Sequence, residues 1–553
     1  MRAPRPAVPP DSAATGGPPA GSGDDPRFAR WVTACWVLVV AVALSRHEPW
    51  RDELQAWMLA RDSRTLAELA RNARYEGHPL LWHALLFAAS RVSRSVTAMQ
   101  AVHLGVGAAG TYLLARFGSF TRVQRALLAF GYFGVFEYAV VARGYVIGQT
   151  LLWAACALAA ARATAGRALL LGAALVLLAQ TSAHGAVVAA AFAGALVAAA
   201  TLGGARGRWR PAVVAGRTAV FVALATAVST AVAARQILPP HDAPFGVDGA
   251  RATTDTALSP LARTLLGSGH VQRAYMPLPD LARWPELWGT NALERLVADR
   301  ALPWRAHVVV LTAVSGALAF AALGALVKRR EAAALMLWLA GTGALVLVGG
   351  WGYHGSLRHH GHLFLVLVAA LWIAGVAARP PGRWFTGLLA AHAAAAIALL
   401  SADARHPFSG APAAAAVLRA RGLADLPLAG WPRAPASAVG GHLDRPVHFA
   451  GERAPQTFVR WGAPRAAATA GTPGRAPLDV ALRLLAAGHP AVVLVGTRPV
   501  DPGEGGAPLA LTEVGRAPGA LVGDESYWLY VVRPARHPVA AGAGAGRRHW
   551  AAR

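Results

Sequence analysis

Apolar runs of about 14 to 22 residues, split by short polar turns, recur along the chain from Trp31 to Leu400. They occupy approximately 31–45, 79–92, 99–117, 122–141, 144–161, 167–180, 184–202, 214–233, 306–327, 332–349, 362–378 and 383–400. Most are long enough to cross roughly 30 Å of hydrocarbon as a helix. The pattern predicts a polytopic all-α membrane protein with about 11–12 apolar helices. Segment 79–92 is too short for an ordinary crossing and reads as a re-entrant or interfacial helix. Otherwise one later segment fails to cross.

Loop 46–78 carries a helical pattern of its own. Leu54, Trp57 and Met58 share one face, as do Leu66, Leu69 and Ala70, and Thr65 with Glu68 forms a capping-box start. Two short helices lying in the membrane interface are expected. After Ala402 the spanning pattern stops. Ala411–Arg421 and Leu478–Ala487 read as helices, Ala491–Val495 and Tyr527–Val532 as buried strands. The expected organisation is a disordered segment 1–30, a membrane domain 31–401 with outer loops 46–78 and 234–305, a small soluble α/β domain 402–535, and a disordered tail 536–553. Ala41-Val42-Ala43 resembles a cleavage site, but a retained signal-anchor helix is the expectation.

Composition agrees with this class. Of 553 residues, 55% are hydrophobic and only 15% charged, well under the quarter usual in soluble proteins. The net charge of +25 is carried almost wholly by Arg. Much of it sits in turns between apolar runs, where it sets orientation rather than binding nucleic acid. Arg206, Arg208, Arg210 and Arg217, then Lys328, Arg329 and Arg330, then Arg379 and Arg383 mark three cytoplasmic turns. From these, loop 234–305, turn 350–361, the turn at Glu137–Tyr145 and the tail domain are expected outside a plasma (inner) membrane. Cys35 and Cys156 lie in apolar runs, which excludes a disulfide framework and a Cys-based metal site.

Candidate chemistry gathers at the outer turns. Asp52 and Glu53 follow the first apolar run, where carboxylates can accept a proton or hold a divalent cation. They equally suit a helix N-terminus. His78-Pro79-Leu80 enters the next helix. Arg143 can snorkel to headgroups or grip a phosphate. Arg358-His359-His360-Gly361-His362 concentrates cationic and imidazole groups, either facing headgroups or, with His354, holding a metal.

The acidic pair followed by a His-Pro-Leu helix entry resembles the GT-C superfamily of membrane glycosyltransferases. The protein-mannosyltransferase-like and lipid A sugar-transferase-like branches look nearest. Glu137–Tyr145 resembles the Ala-Arg-x-Tyr segment of that superfamily, and Arg358 stands where members carry an Arg-Tyr motif. His78 replaces the first Pro of the usual Pro-Pro-Leu entry, and His359 the usual Tyr. The likeness covers 31–400 by architecture, but by motif only 46–82 and 137–149. It implies transfer of a sugar, with inversion, from a polyprenyl-phosphate donor to a glycan, lipid or protein acceptor outside the membrane. Asp52 or Glu53 would be the catalytic carboxylate. His78, Arg143, Tyr145, Arg358 and His359 would bind substrate. Mg²⁺ or Mn²⁺ is compatible with the superfamily but encoded by no motif here. The rival reading is a non-catalytic transporter or lipid-binding protein. Transporters place ionisable groups near the bilayer midplane, whereas these lie at outer boundaries.

Overall fold

The computed structural model describes residues 25–535 apart from 162–163, 203–215, 239, 241–268, 301–302, 376–379, 462–474, 501–508 and 520. The expected disorder at 1–24 and 536–553, the basic residues Arg206, Arg208, Arg210 and Arg379, and much of loop 234–305 lie outside the described residues.

Helix α1 spans Pro26–Leu44 and begins five residues before the expected start. Asp25 caps it, its carboxylate accepting from Arg27 N and Phe28 N, and Pro26 fits the first turn, where no amide is needed. Residues 26–30 are therefore helical, not part of a disordered leader. Next come α2 (Arg51–Asp62), α3 (Leu66–Asn72), α4 (Leu81–Val92), α5 (Val96–Phe117) and α6 (Arg122–Ala129). The chain continues through α7 (Tyr145–Ala160), α8 (Ala165–Ala179), α9 (Ala183–Leu202) and α10 (Gly216–Ile237). Short helices α11 (His270–Tyr275) and α12 (Ala292–Ala298) precede α13 (Trp304–Val327), α14 (Ala332–Leu347), α15 (Leu357–Gly375) and α16 (Arg383–Asp403). Among the described residues, seven helices are long and apolar enough to cross a membrane: α1, α9, α10 and α13 to α16.

The expected single span 122–141 is instead α6 followed by a π-helical turn, Tyr132–Glu137. Gly134 makes the break: a Cβ there would lie 2.6 Å from Ala129 O, so only glycine lets the backbone close on itself. The turn brings Glu137 and Tyr138 into the bundle, both buried.

Contacts sort the helix ends into two groups. Arg122 pairs with Asp25 at 2.9 Å and Gln124 donates to Pro381 O at 2.7 Å, joining the starts of α1 and α6 to the turn before α16. At the other end His47 reaches Asp403, and Tyr138 Oη donates to Arg358 O at 2.5 Å. Helix α4 does not run between these ends. Leu80 N donates to Gln236 at the end of α10, and Arg91 donates to Arg61 O in α2. Its 12 residues, roughly 18 Å long, stay at one end of the bundle.

The tail adds α17 (Ala411–Ala420), α18 (Arg433–Leu443) and α19 (Arg475–Ala486) around a five-stranded sheet of order β2-β1-β3-β5-β4. Here β1 is Leu428–Trp431, β2 Val447–His448, β3 Val492–Gly496, β4 Leu509–Ala517 and β5 Tyr527–Pro534. The first three are parallel; β5 runs antiparallel to β3 and β4. Strand alternation feeds two cores, Val493 and Val495 towards α17 and α18, Val492 and Leu494 towards α19.

Leu54 and Met58 of α2 belong to the first of these cores, with Ala436 and Val439 of α18. Residues Glu53–Arg61 are all buried. The apolar face that suggested a helix on the membrane interface is thus covered, Leu54 and Met58 by the tail domain and Trp57 by Trp82 and Leu86 of α4.

Gly361, in α15, packs against Tyr138 and Phe133, and a Cβ there would overlap both side chains. Gly361→Ala should lower stability by about 1–3 kcal/mol through overpacking. Gly387→Ala, whose Cβ would meet nothing within 4 Å, should be neutral or better. Thermal unfolding of the two variants in nanodiscs checks this; equal midpoints would refute the packing account.

Candidate functional site

The first turn of α2 presents Asp52 at the end of the bundle where the tail docks. Its side chain is 28% exposed. One oxygen lies 3.0 Å from Arg358 Nη2 and 3.5 Å from Arg143 Nη1. Arg143 Nη1 also donates to Asp52 O at 2.6 Å, and its Nη2 donates to His78 Nε2 at 3.4 Å. Burial pushes the Asp52 carboxyl upward, but Arg143 and Arg358 outweigh it and hold the group below its ordinary value. It is ionised at neutral pH.

Glu53 has a different setting. It is wholly buried. Oε1 accepts from Ala142 N at 2.6 Å, and Oε2 accepts from His47 Nε2 and from Trp50 N. Buried and bound by three protein donors, Glu53 holds α2 against the 139–144 turn and leaves Asp52 as the carboxylate open to a ligand.

His47 fills the space between Glu53 and Asp403, at 3.1 Å from each. Burial alone would lower its pKa. Asp403 and Glu53 override that and raise it to about 10, so the ring is an imidazolium donating from both nitrogens.

Arg358 lies against two aromatic rings. Its guanidinium lies 5.2 Å from the Trp50 ring and 5.8 Å from that of Trp288, within cation–π range. Its buried Nε has no hydrogen-bond partner. Trp288 Nε1 donates to Glu137 at 3.0 Å, and Tyr132 Oη donates to the same oxygen at 2.5 Å. Tyr145 Oη lies 2.9 Å from His359 Nε2. Ser356 N donates to His359 Nδ1, so His359 donates from Nε2 to Tyr145.

The seven residues singled out from sequence therefore meet at one place. Asp52, His78, Arg143 and Arg358 form one linked cluster, Tyr145 pairs with His359 beside it, and Glu53 stands behind it. Sequence reasoning did not single out Glu76, Glu137, Trp50, Trp288 or Asp403. Only Glu137 had a usable signal, a carboxylate inside an apolar run. Glu76 lines a cavity with His78, Arg143 and Tyr145. Burial raises its carboxyl to about 7, and burial with Arg143 lowers His78 to about 3, leaving that imidazole neutral. This cavity, where a substrate pocket was expected, measures only about 20 Å³. It is about the size needed for a single water.

Among the described residues no group of three His, Cys, Asp or Glu side chains is placed to hold a metal. The histidines of the 354–362 turn are engaged locally: His360 Nε2 with His354 O at 2.7 Å, His362 Nδ1 with His359 O at 3.1 Å. Asp52 is surrounded by guanidinium groups, a donor set that does not suit Mg²⁺ or Mn²⁺.

Comparison with known protein families, curated proteins and solved structures finds no match for this chain.

Proposed function

We propose that the chain is an integral-membrane glycosyltransferase that uses a polyprenyl-phosphate-linked sugar. The observation that carries this reading is one ionised carboxylate, Asp52, held between two guanidinium groups, Arg143 and Arg358. That set can serve both halves of a substitution at an anomeric carbon. The carboxylate accepts the proton of an acceptor hydroxyl. The hydroxyl oxygen bonds to the anomeric carbon as the carbon–oxygen bond to phosphate breaks. The lipid phosphate leaves with the electron pair and is met by the guanidinium forks. Without substrate both arginines rest on Asp52. A phosphate drawing them away would free that carboxylate and raise its basicity. The acceptor is a glycan, lipid or protein; no step is routed through a metal.

The topology that fits places the Asp25–Arg122 end in the cytoplasm, as the basic residues there favour. Crossings by α1, α5, α6 with its π-helical turn, α7 to α10 and α13 to α16 total eleven on this reading. Helix α4 then supplies the re-entrant segment, and the site and tail face outside the plasma (inner) membrane. Alkaline phosphatase fused after Arg536 should be active in cells; a fusion active only as a cytoplasmic reporter would overturn this orientation.

Arg358→Lys keeps the charge but loses the planar fork that lies against the Trp50 and Trp288 rings. Sugar transfer from polyprenyl-phosphate sugars by the purified chain should fall about 100-fold. Stability should change little. Unchanged transfer in this variant would remove Arg358 from the mechanism.

A further inference from the structure

A second cavity shares Trp288 with the Arg358 site. Its volume is about 650 Å³, within the roughly 300–1,000 Å³ range of small-molecule sites. It is an open cleft walled by the loop from Asp280 through α12 and bordered by Leu521 and Gly523 of the tail domain. We infer that this cavity is a binding site for a neutral sugar unit, the end of the acceptor glycan. The assignment as acceptor rests on the glycosyltransferase reading; the assignment as a sugar site does not.

The wall chemistry decides the ligand class. Its cations are matched by its anions: Arg273 pairs with Glu294, Arg283 with Glu286 at 3.6 Å, and Arg295 with both Asp280 at 3.3 Å and Asp299 at 3.1 Å. Three positive and four negative side chains leave no surplus cation for a phosphate. What remains is a dense array of fixed donors and acceptors, suited to vicinal hydroxyls that both donate and accept. Trp288 adds an apolar face on which the C–H side of a sugar ring can rest.

The backbone of the wall is held by its own hydrogen bonds before any ligand arrives. Asp280 N donates to Thr290 Oγ1 at 3.0 Å, and Ala292 N donates to Leu278 O at 2.9 Å. Asn291 caps α12 and donates to Met276 O. Trp288 is pinned by Glu137 and packs on Trp50 and Phe408, with ring centroids 4.8 and 5.1 Å away. Preorganisation of this kind lowers the entropic cost of binding. Trp288 therefore belongs both to a sugar-sized cavity and to the surroundings of Arg358, whereas the space beside His78 is too small for any sugar.

The test uses the full chain in nanodiscs and saturation-transfer NMR. The probes are methyl α-D-mannopyranoside, methyl α-D-glucopyranoside, methyl β-D-galactofuranoside and methyl α-D-arabinofuranoside, with inorganic phosphate as comparator. At least one glycoside should bind and phosphate should not. The double variant Glu286→Gln/Arg295→Gln, altered at partly exposed positions, should weaken that binding about tenfold or more, with an unchanged melting temperature. Trp288→Phe should weaken it while keeping an aromatic ring in place. Binding of no glycoside, equal binding by phosphate, or glycoside binding unchanged in the double variant would each overturn the inference. Asp52→Asn should retain glycoside binding. The catalytic reading fails instead if Asp52→Asn transfers sugar normally, so the two failures are distinguishable.

Discussion

Asp52→Asn should reduce sugar transfer by about 10²–10⁴-fold, the range for removing a positioned general base. The amide is nearly the same shape and can still accept from Arg358 through its oxygen, so the helix should fold as before. Asn cannot accept the hydroxyl proton, and it removes the negative charge facing two guanidinium groups. The loss should appear in turnover, with donor binding kept or improved because Arg143 and Arg358 are freed for phosphate. Glu53→Gln gives the contrast. Its amide would face His47 or Ala142 N with a donor where an acceptor is required, so the melting temperature should fall together with activity. Rates measured at matched protein levels in reconstituted vesicles decide the matter. Near-full transfer by Asp52→Asn would end the mechanism.

His47→Phe should destabilise the chain by about 3–5 kcal/mol, the usual result of leaving buried charges without their partner. Two carboxylates, Glu53 and Asp403, would face each other across an apolar ring with no cation between them. The same imidazolium sets a pH dependence. Its pKa rises from the ordinary 6.5 to about 10 in the folded chain. Between those values the folded state holds a proton that the unfolded state has released. The stabilisation is therefore complete below about pH 6.5 and is lost as pH rises towards 10. Unfolding followed from pH 6 to 10 should show this decline in wild type and a flatter profile in His47→Phe. Identical profiles would show that His47 is not the charged link described.

Much of the membrane domain was legible because apolar helices of bilayer length leave an unambiguous pattern. The break at Gly134 was not, since a run of Ala, Phe, Gly, Tyr and Val scores as one apolar segment whether it is straight or bent. In the tail, β3 and β5 were found from their Val and Tyr content. Strand β1, Leu-Ala-Gly-Trp, has no alternation or β-branched residue to mark it. Side counting placed Asp52, Arg143 and Arg358 at one outer boundary; that they meet followed only if they serve one reaction, as the superfamily resemblance implies. The inward role of Glu53 was not legible, because neighbouring carboxylates look alike until one finds Ala142 N and His47. The face of Leu54 and Met58 was correctly read as apolar and wrongly given to lipid; which surface covers such a face is set by a domain hundreds of residues later.

That last feature bears on the order in which the molecule is made. Arg51 N donates to Glu525, 474 residues further on, and Arg51 also pairs with Asp524 at 2.6 Å. Gln55 exchanges bonds with the backbone of Val459. A ribosome delivers α2 among the first segments and these partners almost last. Through nearly the whole of synthesis, the Leu54–Met58 side of the helix bearing Asp52 must wait unclaimed. The contacts that hold the first turn of α2, next to Asp52, form only once Asp524 and Glu525 have been made, so on the glycosyltransferase reading a prematurely ended chain would be inserted and helical yet lack the contacts that position its carboxylate.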